Sequence, residues 1–430
     1  MNDSPVSAAL TSSVIDHLRD RLFHFKRISI RPRATQFEHK LGFWHRAYTG
    51  FYCSADKPVS ATAFPQQSMV GSLGDLARAL GSGTEVPEEF LFASALTAFG
   101  AMCAPDLRVR IGLPVSTRFY TVLLGKSYEA RKSSAMKRIL EFFNERNFPV
   151  RAVTISHGVG SAEGLAKTIQ KNPKLILAFD EFRAFLDKAG IKNSTLLSMA
   201  ASLYEQENWD NATKETAVTI RGALLSIIGC CTTETYEGIW SAEALAIGLP
   251  NRLFVIDADA KPRIAWPSQP DPAELETIRL RIVRQLDRLP VTYDAAPEAK
   301  QTWETWYDNL ARSEHSKRLD VLAFRLMPLL ALTTDKDAID TETVERTIAI
   351  LNYELAVRTA TDPIDADNTI AKLEEAIRRQ LKVRGSLSKA ELRKYTNAPR
   401  YGHWFFDTAL KNLITHQEMV PDSGKYRLAA

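Results

Sequence analysis

Short, nearly unbroken apolar runs stand out along the middle of the chain: Tyr120-Thr-Val-Leu-Leu124, Leu175-Ile-Leu-Ala-Phe179, Gly222-Ala-Leu-Leu-Ser-Ile-Ile-Gly229 and Leu253-Phe-Val-Ile256. Such continuous runs, rather than strict alternation, predict strands buried on both faces, as in a parallel sheet covered by helices. Segments of helical period surround them. Leu73 to Leu80 and Pro87 to Cys103 precede the first run, and Met136, Ile139, Leu140 and Phe143 mark an amphipathic helix just after it. Pro262, Pro267, Pro270 and Pro272 punctuate a linker. Residues 273–360 are again helical by pattern, including 319–332 and 341–357. A second breaker, Thr361-Asp-Pro-Ile-Asp-Ala-Asp-Asn368, sets off the C-terminal piece.

That piece has its own pattern. Ile370, Leu373, Ile377 and Leu381 share one side of a helix over 369–383. Ser386 to Arg393 reads as a second helix, with Ser388 and Glu391 placed for a capping box. After the turn Asn397-Ala-Pro-Arg-Tyr-Gly402 comes a third helix, with Phe405, Phe406, Leu410, Leu413 and Ile414 expected to face inward. Two short strands then flank a turn within Glu418–Leu428. Three helices and a hairpin predict a winged helix, a relative of the helix-turn-helix. The expected organisation is an N-terminal extension (1–65), an α/β core (66–268), a helical lid (269–362) and a winged-helix domain (363–430).

Charge sharpens this picture. The whole chain carries a formal net charge of +4, yet residues 369–430 hold six Lys and six Arg against six acidic residues. A basic domain on a nearly neutral body points to a polyanion partner. Candidate DNA contacts are Arg393, Lys394, Arg400, Tyr401, His403 and Lys411, with Lys425 and Arg427 on the wing. The alternative is a protein-binding winged helix with solvated charges. Arg and Lys also interleave with aromatics in His24–Arg33 and Phe43–Arg46; this extension reads as packed on the core, with a single-strand-binding arm as the alternative. Cys53, Cys103, Cys230 and Cys231 show neither metal nor disulfide spacing, which fits a reducing cytoplasm. No apolar run approaches a membrane span, and the N-terminus lacks a signal-like pattern.

The candidate chemistry sits at the strand ends. After Leu124 the chain reads Gly125-Lys-Ser-Tyr-Glu-Ala-Arg-Lys-Ser-Ser134 and enters a helix, the strand–loop–helix order of a phosphate-binding loop. It departs from G-x-x-x-x-G-K-[ST] in two ways: Gly125 and Lys132 are seven positions apart, and Arg131 replaces the second glycine. Backbone N–H groups of the loop and the helix start would hold phosphates, Lys132 would neutralise their charge, and Ser133 or Ser134 would bind Mg²⁺. The bland reading is a basic turn before an ordinary helix. Asp180-Glu181 ends the second run, at the edge where open α/β sheets bind ligands. There Asp180 would complete a Mg²⁺ shell and Glu181 would polarise water; alternatively the pair caps a helix. Thr232 and Thr233, after the third run, are candidates to touch the γ-phosphate or, equally, to act as N-caps. Arg252 is a candidate trans-acting arginine or a structural ion-pair partner. Arg325 would reach the nucleotide from the lid or serve as a buried structural arginine.

Several segments then resemble, in order, the P-loop ATPases of phages, plasmids and integrated elements that often lie beside or fused to primase domains. These are Gly125 with Arg131-Lys-Ser-Ser134, Val159–Leu165, Phe179–Leu186, Trp209-Asp210, Thr219–Ile228, Gly248–Arg252 and Leu322–Leu332. The resemblance covers roughly residues 70 to 430 and implies a P-loop NTPase core. It further implies an ATP- and Mg²⁺-dependent, helicase-like motor acting on DNA during replication of a mobile element. A ring-shaped homo-oligomer, such as a hexamer, with a primase as partner would be expected. The competing expectations are a nucleotide-switched DNA-binding initiator and an element-encoded defence NTPase.

Overall fold

The computed structural model describes residues 63–127, 130–191, 194–212, 217–361, 369–422 and 424–429. The expectations for residues 1–62 and for the breaker at 362–368 lie outside the described residues.

Among the described residues two α-helices precede the first strand, Gly71–Gly81 and Glu88–Cys103. The second is buried from Phe90 to Cys103 without a polar face, as befits a helix enclosed by a core. Strand β1 (Leu107–Val109) is followed by β2 (Tyr120–Leu124), β3 (Thr154–Ser156) and β4 (Lys174–Phe179). The hairpin β5 (Trp209–Ala212) and β6 (Ala217–Ile220) leads to β7 (Leu224–Cys231), β8 (Leu253–Asp257) and β9 (Val291–Tyr293). β1 pairs with β9. The central sheet has the order β3-β4-β7-β2-β8, and every pairing in it is parallel.

Both faces of that sheet are covered, which explains the unbroken apolar runs. Successive side chains of a strand point to opposite faces. In β2 the Thr121 hydroxyl meets that of Thr97 on the helix Glu88–Cys103, at 2.6 Å. Its neighbour Tyr120 donates to the carbonyl of Ala200, 2.8 Å away on the helix Leu196–Glu205. This α/β architecture, a five-stranded parallel sheet between helices, is compatible with a P-loop NTPase core.

The region expected as a helical lid is helical and shares the sheet's core. Its helices Pro272–Asp287, Leu319–Thr333 and Thr341–Thr361 contribute Ile282, Leu322, Leu329 and Val357 to the same continuous core as the sheet. Thr341–Thr361 runs along the edge strand β8 and satisfies backbone groups that have no strand partner. Glu354 accepts from Val255 N–H at 3.1 and 3.0 Å. The Tyr353 hydroxyl accepts from Asp257 N–H and donates to its carbonyl, and Arg358 donates to Leu253 O at 2.8 Å. Covering an exposed sheet edge is a general structural need. Periodicity showed the helix; its partner is a contact between distant segments and leaves no periodic trace.

The C-terminal region contains the helices Thr369–Arg384, Lys389–Tyr395 and His403–Thr415. Strands β10 (Ser386–Ser388), β11 (Met419–Asp422) and β12 (Lys425–Leu428) form an antiparallel sheet in the order β10-β12-β11. Leu373, Ile377, Leu381, Leu392, Phe406, Leu410 and Leu413 build a second apolar cluster, separate from the main core. Ser388 and Glu391 form the expected capping box. Two details differ from expectation: residues 386–388 are a strand rather than helix, and Ile414 is 37% exposed rather than inward. No helix among the described residues is long and apolar enough to cross a membrane.

Candidate functional site

Parallel strands all end on one edge, and β7 lies between β2 and β4, so three strand ends meet there. Between them is a cleft of about 300 Å³. The segment after β2 supplies Ser127 and Arg131 to Ser134, the end of β4 supplies Asp180 and Glu181, and the end of β7 supplies Cys230, Cys231 and Thr232.

The loop after β2 is shaped by close backbone approach. A Cβ at Gly125 would lie 2.8 Å from that of Ala130 and 3.1 Å from the carbonyl oxygen of Ala258. Arg131, where the phosphate-loop pattern carries glycine, holds the left-handed conformation that favours glycine, with φ +52° and ψ +27°. That conformation costs a non-glycine residue about 1–2 kcal/mol. An ion pair secures it: Arg131 Nε donates to Glu85 Oε2 at 2.9 Å, while Glu85 Oε1 accepts from Ile264 N–H. The backbone bond from Ile264 and the Arg131 guanidinium together hold the Glu85 carboxyl below its ordinary range.

Lys132 opens the helix Lys132–Phe142 and turns back over the loop. Its Nζ donates to the carbonyls of Gly125 and Lys126 at 2.7 and 3.0 Å. The seven-position spacing therefore still closes a loop around one ammonium group. Burial lowers the Lys132 pKa, while Cys230, Cys231, Glu181 and Glu234 oppose that shift.

The helix-cap alternative for Asp180-Glu181 does not hold. Phe182 N–H donates to Cys230 O at 2.7 Å, and the helix Arg183–Ala189 starts after Phe182 without a side-chain cap. Asp180 is exposed and pairs with Lys137 Nζ at 2.9 Å. Glu181 Oε1 accepts from the Cys231 thiol at 3.6 Å. Burial pushes the Cys230 and Cys231 thiols up to about 12, so both stay neutral beside the carboxylates. Thr232 takes the expected capping role at a position on the cleft. It lines the cleft and caps the helix Thr233–Gly238, its hydroxyl oxygen accepting from Thr235 N–H at 3.1 Å. Thr233 is merely the first helical residue.

Two expected catalytic residues lie elsewhere. Arg252 precedes β8, at the N-terminal edge of the sheet, and donates to the carbonyls of Ile247 and Gly248 at 2.6 and 2.9 Å and to Glu205 at 3.2 Å. Its side chain is only 10% exposed, so within the protomer it is a structural arginine and does not present a free guanidinium. Arg325 is also buried at that edge. It donates to the carbonyls of Arg118 and Tyr204 and lies 3.9 Å from the centre of the Tyr204 ring. Both lie at the edge opposite the cleft: Arg252 is in the turn that feeds β8, and Arg325 holds the carbonyl of Arg118, in the segment that enters β2.

Ser127, Lys137, Cys230, Cys231 and Asp257 were not singled out from sequence. Asp257 ends β8 in register with Leu124 of β2. Burial raises its carboxyl to about 6, with Asp259 and Glu234 adding to the shift and Lys132 opposing it. Position at a strand end was the signal that could have found these residues; Lys137, one turn beyond the loop, had none.

In the C-terminal region His403, Lys394 and Lys411 are exposed, as are Lys425 and Arg427 on β12. Arg393 contacts the His403 ring, and its guanidinium lies 5.6 Å from the centre of the Phe406 ring. Tyr401 is partly buried against the local apolar cluster, so packing claims most of it. The side chain of Arg400 lies outside the described residues. No protein-family model matches the chain, and no curated protein matches it.

Proposed function

We propose that this protein is a P-loop ATPase that couples ATP hydrolysis to work on DNA, as a helicase-like replication motor of a mobile element. The observation that carries the reading is the convergence of Lys132, Ser133, Asp180, Glu181 and Thr232 on one cleft from three neighbouring strands. A basic residue at a helix start, a hydroxyl beside it and a carboxylate pair opposite form a donor set suited to a polyphosphate and a hard divalent cation. The neutral thiols of Cys230 and Cys231 add no competing anionic ligand.

Ser133 and Asp180 would hold Mg²⁺, which when bound neutralises phosphate charge. Asp180 exchanges its contact with Lys137 for that role, an exposed pair of small worth. Lys132 exchanges two carbonyl partners for phosphate oxygens. Glu181, held by the Cys231 thiol, orients the attacking water. Thr232 keeps its oxygen on Thr235 N–H and exchanges the bond that its proton makes to the Thr235 hydroxyl, at 2.8 Å, for one to the phosphate. With Arg252 engaged inside its own protomer, the reading does not require a ring of subunits.

The C-terminal region is read as a winged helix: its helix–strand–helix–helix–strand–strand order and antiparallel sheet support this, and its excess of Lys and Arg supports a DNA partner. The test is ATP turnover by the purified protein with and without single-stranded and duplex DNA, beside Lys132→Ala. Turnover stimulated by DNA and lost in the variant is expected. Equal turnover in the variant overturns the site assignment; binding of nucleotide without turnover shifts the reading to a nucleotide-switched initiator.

A further inference from the structure

Trp404 is an exposed aromatic in a setting that packing does not explain. It stands on the first turn of the helix His403–Thr415 and is 66% exposed, whereas Phe406, two residues on, is fully buried. Its ring meets the partly buried Phe405 ring edge-on, with centroids 5.0 Å apart and planes at 78°. That contact fixes the angle of the indole without covering it. Helical spacing puts Lys411 seven residues along, on the same face and about 10 Å further down the axis; it is exposed. His403, the residue before it, is exposed and has Arg393 against its ring. The acid on this face, Asp407, is taken up by Lys389 at 3.0 Å. The face therefore offers one flat apolar surface among cations with its carboxylate already paired.

Such a combination matches a nucleic-acid strand whose base is unstacked: the ring takes the base and the cations take the flanking phosphates. A base inside an intact duplex cannot reach an indole without unstacking. A protein partner would gain from the apolar ring but not from the surrounding positive charge. We propose that Trp404 stacks on an unpaired base where duplex meets single strand, so that the C-terminal region recognises a junction rather than a plain duplex. This rests on the DNA-binding reading given above and names its substrate class.

The experiment is fluorescence anisotropy of the full chain on three labelled DNAs: a duplex with a single-stranded tail, a blunt duplex and a single strand. Trp404→Ala is expected to weaken binding to the tailed duplex about tenfold and to the blunt duplex less than twofold, while Trp404→Tyr restores most of the loss. Lys411→Ala is expected to weaken all three DNAs by a similar factor. Wild-type protein that binds every DNA, with Trp404→Ala equal to it on the tailed duplex, overturns the stacking role and leaves DNA binding standing. Loss of self-association in Trp404→Ala with DNA affinity unchanged overturns it too, marking a protein contact. Absence of any salt-sensitive DNA binding by the wild type overturns both readings.

Discussion

At the N-terminal edge of the central sheet, Arg118, Arg252 and Arg325 each donate to two backbone carbonyls. At the opposite edge, the carboxylates of Asp180 and Glu181 accept no backbone hydrogen bond among those described, and that of Asp180 meets an exposed lysine. Both edges are rich in charge, yet one spends it on loops entering the sheet and the other leaves it facing a cleft. The difference follows from geometry. Strand starts are crowded by the helices of residues 196–205 and 319–333, so charge there must find partners or carry a large desolvation penalty. Strand ends splay where the order crosses over, leaving space and uncommitted groups. Charged residues become informative about function only once their partners are known.

The sharpest way to break this comparison is at the cleft. Lys132→Ala and Glu181→Gln are each expected to lower ATP turnover by about 10²–10⁴. Lys132→Ala should also weaken nucleotide affinity, and Glu181→Gln should leave it largely intact. Calorimetric titration beside a phosphate-release assay separates the two; parallel losses of affinity in both variants would contradict the division of labour.

Next in size is the structural counterpart. Glu354 and Arg358 form a fully buried pair, with Nε 2.8 Å from Oε1, and together they cap the free edge of β8. Glu354→Ala removes the buried counter-charge of the Arg358 guanidinium and is expected to destabilise the fold by about 3–5 kcal/mol in urea unfolding. Arg252→Ala removes a partly buried, carbonyl-bonded arginine and should cost about 1–3 kcal/mol, with turnover per folded molecule retained. A well-folded Arg252→Ala protein without turnover would move Arg252 from the structural edge into the chemistry.

Smaller effects sharpen the picture. Asp257 has a folded-state pKa raised from the usual carboxylate value to about 6. The folded protein thus holds this proton more tightly than the unfolded chain. Its contribution to stability falls as pH rises from about 4 to about 6, then levels off. Asp257→Asn should flatten that part of the pH–stability curve, measured by thermal unfolding between those values. The smallest change is expected for Arg131→Gly. Relief of left-handed strain and loss of the Glu85 pair are of similar size, so stability should stay within about 1 kcal/mol. Arg131→Val, β-branched at a positive φ, should be worse than glycine.

The core was legible to different depths. β2 matches its apolar run residue for residue, and β4 and β8 differ from theirs by one residue at an end. The edge strand β3, partly buried throughout, was missed because three residues without a continuous apolar run carry no signal. Lys132, Asp180 and Glu181 could be read because each follows a recognisable strand. For Arg252 and Arg325 a catalytic and a structural role both stayed open, because sequence order cannot tell the start of a strand from its end in space. Arg131 looked like a defect in the phosphate loop; the structure keeps the backbone turn and supplies Glu85 to hold it.

By itself the sequence determined the buried strands β2, β4 and β8 and the amphipathic helices beside them, since periodicity and apolar runs record burial, and it set the loop–helix junction at Lys132 and the capping box at Ser388. Only the tertiary structure decided the strand order that brings β7 between β2 and β4. It also decided the docking of Thr341–Thr361 on β8 and the commitment of Arg252 and Arg325 away from the cleft. Those outcomes depend on contacts between distant segments, whose partners satisfy hydrogen bonds and charges that no local pattern encodes.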